Sequence, residues 1–68
     1  MVHRGQIYKH YKGNLYLVLE VAVHTETNEQ LVVYCNVNNK SQIWARPLSM
    51  FEDILPNGKL RFELFADK

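Results

Sequence analysis

The chain has one cysteine, Cys35, and only two prolines and three glycines among 68 residues. A single thiol excludes an intramolecular disulfide framework and argues against a structural zinc site built on cysteines. Cys35 follows Val33 with strand parity and reads as a plain buried thiol. Net charge is nearly absent too. Eight Lys and Arg against seven Asp and Glu leave +1, so no bulk electrostatic drive toward nucleic acid is expected. No apolar run approaches the ~20 residues that span a bilayer, and no basic-then-apolar segment opens the chain. A soluble, cytoplasmic protein without membrane association is expected. Repeats, low-complexity segments and the HExxH and CxxC motifs are also missing, and no cofactor or metal is implied.

What is present is apolar content of 47%, enough for a folded globule. Residues 1–68 read as one domain. A chain this short buries only about 60% of the surface its unfolded form exposes, so its stability margin is thin. The organising stretch is Leu15 to Val37. Leu15–His24 and Leu31–Cys35 are rich in β-branched, aromatic and other apolar residues and contain no Gly or Pro. Between them lies a polar turn in which Asn28 suits the left-handed conformation that closes a short loop. Both parities of Leu15–Val23 are apolar, so no 3.6-residue stripe appears and a strand is favoured over a helix. A long strand apolar on both faces is expected to bend, as in small barrels.

The rest of the chain follows in short pieces. Met1–Arg4 reads as a frayed start and Gln6–Tyr11 as a first strand. Lys12-Gly13-Asn14 makes a tight turn. Asn36–Ser41 reads as a turn region, and Gln42–Arg46 as a short strand ended by Pro47. One or two helical turns are expected over Leu48–Ile54, with Met50, Phe51 and Ile54 on a common side. Asn57-Gly58 is a turn signal. The last strand is Leu60–Phe65, with Leu60, Phe62 and Leu64 on one face. The expected fold is mainly β: a small barrel of about five antiparallel strands with one short helical turn near residues 48–54.

The run Gly5-Gln6-Ile7-Tyr8-Lys9-His10-Tyr11-Lys12-Gly13 resembles the opening of the short bacterial proteins grouped as domain-of-unknown-function family 1653. The similarity continues through Tyr16-Leu17-Val18, Ala22–Thr27, Val32-Val33-Tyr34, Trp44-Ala45-Arg46-Pro47, Met50-Phe51 and Arg61-Phe62, and so covers nearly the whole chain. The resemblance implies an SH3-like β-barrel and no settled activity. Leu17 and Val23 stand where relatives look more polar, which leaves apolar surface for a dimer contact. Leu60 stands where proline is expected.

Three constellations carry candidate chemistry. His10, His24 and Glu26 offer imidazoles and a carboxylate for ligand binding or acid–base work; in the structural alternative, His24 anchors the hairpin turn and Glu26 caps its loop. Trp44 and Arg46 share a face if their strand is regular. Trp44 is expected in the core. Arg46 either meets a carboxylate or phosphate or pairs with Glu52 or Asp53. Arg61 is either solvated or joins Arg46 in an anion site. Tyr8, Tyr11, Tyr16 and Tyr34 form a large aromatic set for so small a chain; on a barrel they offer the groove that a peptide or unstacked bases would use, or they complete the core, as is expected of at least two.

The leading reading is a non-enzymatic binding module. Its candidate patch is His10, His24, Glu26, Tyr34, Arg46 and Arg61, and its ligand a protein, a peptide or a small anion. One alternative is a small hydrolase-like enzyme using His10, His24 and Glu26. Another is an RNA-binding barrel using Arg4, Lys9 and Lys12 interleaved with Tyr8 and Tyr11. A monomer or weak homodimer is expected, the dimer through Leu17, Leu19 or Val23.

Overall fold

The structure, a computed structural model, describes residues 1–67; Lys68, the last residue of the expected 1–68 domain, lies outside them. The described residues form β1 (Ile7–His10), β2 (Leu15–Val23), β3 (Gln30–Asn36), β4 (Asn39–Pro47), the single helical turn α1 (Leu48–Phe51) and β5 (Phe62–Ala66). All pairings are antiparallel, in one sheet of order β4-β3-β2-β1-β5. The mainly β expectation, with five antiparallel strands and one helical turn, is met. The sheet is not closed into a barrel, because its two edge strands, β4 and β5, are not hydrogen-bonded to each other. Phe51, buried at the end of α1, packs between the two ends of the sheet, against Tyr34 of β3 and Phe62 of β5.

Strand β2 spans Leu15–Val23 as its composition predicts, and its double-sided apolarity has a local cause. Val18 pairs with Tyr34, but Glu20 pairs with Val33, so Leu19 is an extra residue without a partner. Such a bulge reverses the parity of the strand. Val18 before it and Val21 after it therefore turn to the same face, against Tyr34 and Val32. That face carries the core of Val2, Tyr8, Val18, Val32, Tyr34, Phe51 and Phe62, with Tyr16, Val21 and Leu48 packed against it. Burial of each large side chain contributes about 1.5–3 kcal/mol. Cys35 faces the other way and is buried as a free thiol. Asn28 closes the β2–β3 loop with φ 63°.

Several boundaries differ from expectation. The amino terminus is not frayed: Val2 is buried in the core, and the Gly5 N–H donates to the Val18 carbonyl at 2.9 Å. The turn after β3 is tighter, because Asn36 pairs directly with Asn39, and β4 starts there with Lys40–Gln42 bulged out before Ile43 meets Cys35. The helix stops at Phe51, since the chain then turns into a small hairpin in which Ile54 bridges Leu60 and the Asp53 carbonyl accepts from the Arg61 N–H. Met50 and Ile54 are consequently exposed rather than core. In β5 only Phe62 of the expected apolar face is buried, Leu60 and Leu64 being exposed, and Phe65 bulges out between the partners of Tyr8 and Ile7.

Candidate functional site

Cross-strand partners share a face, so the pairs Tyr8–Tyr16, Val18–Tyr34, Tyr34–Trp44, Val32–Arg46 and His10–Phe62 place these side chains on one side of the sheet. Beside the core this side forms a groove of about 460 Å³, lined by His10, Tyr16, Tyr34, Trp44, Arg46, Met50 and Phe62, with Ala45 and Pro47 of β4 along its edge. The rings meet edge to face: Tyr16 and Tyr34 at 5.4 Å between centroids, Tyr16 and Trp44 at 6.0 Å, and Tyr34 and Phe62 at 5.9 Å. These are favoured geometries for aromatic quadrupoles. Trp44 is therefore a wall of the groove, 39% exposed, and not the core residue its composition suggested.

Two nitrogen-bearing groups face this aromatic surface. The Arg46 guanidinium lies over the Phe62 ring at 5.7 Å, and among the described residues no carboxylate lies within ion-pair distance of it. The expected partners Glu52 and Asp53 are not used by Arg46; Asp53 pairs instead with Arg61 at 3.3 Å. His10 stands edge-on to Phe62 at 4.9 Å. Its Nδ1 accepts from the Lys12 backbone N–H at 3.2 Å, so the neutral ring carries its proton on Nε2. Burial lowers the His10 pKa from the ordinary histidine value, and the charges of Arg61, Lys12 and Arg46 lower it further. The ring is thus neutral near pH 7, and its surroundings are cationic. Among the described residues no acidic side chain lines the groove.

Of the six candidate ligand-binding residues, the structure brings His10, Tyr34 and Arg46 together. Arg61 is not among the groove's lining residues; it pairs with Asp53 and lies over the Tyr11 ring at 5.9 Å. His24 and Glu26 lie apart at the hairpin tip. There the His24 Nδ1 accepts from the backbone N–H groups of Glu26 and Thr27 at 3.1 and 3.3 Å, which is the turn-anchoring role. An acid–base set of His10, His24 and Glu26 is therefore not assembled. The basic patch also comes apart. Tyr8 is buried, Lys9 points to the opposite face and is the cross-strand partner of Glu63, and Arg4 pairs with Glu20 at 3.6 Å. Lys12 and Tyr11 remain together, the ammonium 5.8 Å from the ring centre, and Lys9 and Tyr11 line one hollow with Lys59 and Glu63.

Tyr16, one of the four tyrosines of the aromatic set, lines the groove, and Met50 and Phe62, which carry no site signal in the sequence, complete it. Strand parity links Trp44 to Arg46, but joining β1, β2 and β5 to them needs long-range pairing. Among the described residues no three His, Cys, Asp or Glu side chains are grouped to hold a metal ion, and no helix is long and apolar enough to cross a membrane.

Residues 6–64 match the family model described as "Protein of unknown function (DUF1653)". The chain belongs to this family. Every groove residue lies within the span matched to DUF1653. Comparison with curated proteins and with solved structures finds no match.

Proposed function

We propose that this DUF1653 chain is a non-enzymatic binding module whose groove takes an apolar or aromatic group carrying a carboxylate, presented by a protein or peptide. The observation that carries this reading is the convergence of Tyr16, Tyr34, Trp44 and Phe62 around an Arg46 that has no acidic partner among the described residues. Arginine held against a ring is partly desolvated and pre-aimed, so less ordering entropy is lost when it meets a carboxylate. Aromatic walls give contact area at low rotamer entropy, as in sites that hold short chain segments. The enzymatic reading lacks support here. His10 has its Nδ1 committed to a backbone N–H, and neither His24 nor Glu26 is near it.

Trp44 is the chain's only tryptophan and gives the groove its own reporter. In a nitrogen-15 NMR titration with 3-phenylpropionate, a small aryl carboxylate, the Trp44 indole and the Tyr34 and Arg46 amides should shift together. Arg46→Met should abolish the shifts and Arg61→Gln should leave them. Equal shifts in Arg46→Met, or shifts centred on the His24 hairpin tip, would remove the groove as the binding site.

A further inference from the structure

Strand β4 is nine residues long and is paired on one side only, to β3. Hydrogen bonds identify which of its backbone groups are left over. The Val37 N–H donates to the Leu15 carbonyl and the His24 N–H to the Glu29 carbonyl. By alternation, Leu31, Val33 and Cys35 of β3 turn their backbone groups toward β2, so Val32 and Tyr34 bond to their β4 partners Arg46 and Trp44. Ile43 and Ala45 then direct their N–H and C=O groups away from the sheet. Pro47 falls on the same outward side, where its missing N–H breaks no ladder bond.

Natural sheets guard such edges with charges, bulges or proline. On β4 the guards are confined to the ends: Lys40 and the bulge at one, Pro47 at the other. Ile43–Arg46 between them is open. The other edge, β5, is only five residues long, is bulged at Phe65 and carries Glu63. Side chains on the open stretch alternate. Trp44 and Arg46 face the groove, while Ile43, 59% exposed, and Ala45 face the opposite side. The only charged residues on β4 are Lys40 and Arg46, both cationic.

We propose that the β4 edge binds, by strand addition, an extended peptide of a partner protein that alternates acidic and aliphatic residues. Acidic side chains lie on the groove side beside Arg46, and aliphatic ones lie beside Ile43. Main-chain bonds to Ile43 and Ala45 set the register. The placing of the acids rests on the groove reading above, and the strand addition adds the class of partner to it. Charge complementarity selects this occupant: pairing β4 with β4 of a second copy brings four cations to one seam and no acid.

The test uses the nitrogen-15-labelled chain with a capped eight-residue peptide of Glu-Val repeats and its Lys-Val counterpart. The Glu-Val peptide should shift the Ile43 and Ala45 amides and slow their hydrogen exchange, and the Lys-Val peptide should not. Ala45→Pro removes one outward N–H and should weaken binding about tenfold. Should Ala45→Pro fail to fold, exchange at Ile43 and Ala45 in the wild-type chain decides alone. If 3-phenylpropionate still shifts Trp44 while the peptide leaves Ile43 and Ala45 unprotected, strand addition is overturned and the groove reading stands. If neither probe binds, both fall. Concentration-dependent protection of these amides without peptide assigns the edge to a second copy, and protection by unstructured RNA assigns it to a nucleic acid; either result overturns the proposal.

Discussion

The Tyr8 hydroxyl donates to the Gln6 Oε1 at 3.0 Å, and the same oxygen accepts from the His3 backbone N–H at 2.8 Å. Gln6 is 2% exposed and is the one buried polar side chain among the described residues. Its amide oxygen ties the amino-terminal turn to the core while satisfying a phenol whose pKa is raised by burial, then by Glu52 and Asp67.

From this pairing, Gln6→Ala is expected to destabilise the fold by about 2–3 kcal/mol. It leaves the Tyr8 hydroxyl and the His3 N–H without an acceptor and opens a cavity. Tyr8→Phe removes the donor instead, and Gln6 keeps its bond to His3, so a loss of about 1 kcal/mol is expected. Urea denaturation of both single variants and the double variant measures this. The double variant should lose less than the sum of the two singles.

The pH dependence of stability follows from His10. Its pKa in the folded chain lies below the ordinary histidine value of 6.5, through burial first and then through Arg61, Lys12 and Arg46. Between the two values the unfolded chain binds the proton and the folded chain does not. Stability therefore rises with pH across that window. The contribution is fully present above about pH 6.5 and is lost as pH falls through the folded value. Wild type should lose more stability than His10→Gln between pH 7.5 and pH 5, read as the shift in urea midpoint. Arg61→Gln should raise the His10 pKa, followed by NMR titration of its ring.

How far the sequence spoke for the structure depended on the range of the interactions involved. Strand β2 and the loop at Asn28 were legible because composition and local turn chemistry decide them. The pairing of Trp44 with Arg46 on one face was legible from alternation alone. The Leu19 bulge was not, because it exists only relative to β3. The same holds for the start of β4, whose polar Asn39–Ser41 segment reads as a turn until Asn36 pairs across to Asn39. Arg61 reads in the sequence as either solvated or joined with Arg46 in an anion site. A return turn instead brings it to Asp53, eight positions earlier in the chain.

The hairpin tip gives a prediction separable from the groove. His24→Ala removes an acceptor shared by two exposed backbone N–H groups that water can satisfy instead. The expected loss is about 0.5–1 kcal/mol in urea denaturation, with the 3-phenylpropionate shifts at Trp44 unchanged. Loss of those shifts in a folded His24→Ala chain would make the tip part of the site.

Trp44 and Phe62 line the same groove but differ in what holds them. Phe62 is 4% exposed and lies parallel to Phe51, with centroids 4.1 Å apart and planes within 6°. Trp44 sits on the edge strand and is 39% exposed. Phe62→Ala therefore vacates the core and should destabilise by about 3–5 kcal/mol. That is comparable to the whole stability of a domain this small, so the variant should be largely unfolded at 25 °C. Trp44→Ala vacates a wall already open to water and should destabilise by only about 1 kcal/mol. The two aromatics thus separate folding from binding. Circular dichroism and urea melts should show Trp44→Ala folded, and the Tyr34 and Arg46 amides of that folded chain should no longer respond to 3-phenylpropionate. A Trp44→Ala chain that binds as wild type would mean that ligand contact lies deeper, on Tyr16 and Phe62, and that the open wall is not part of recognition.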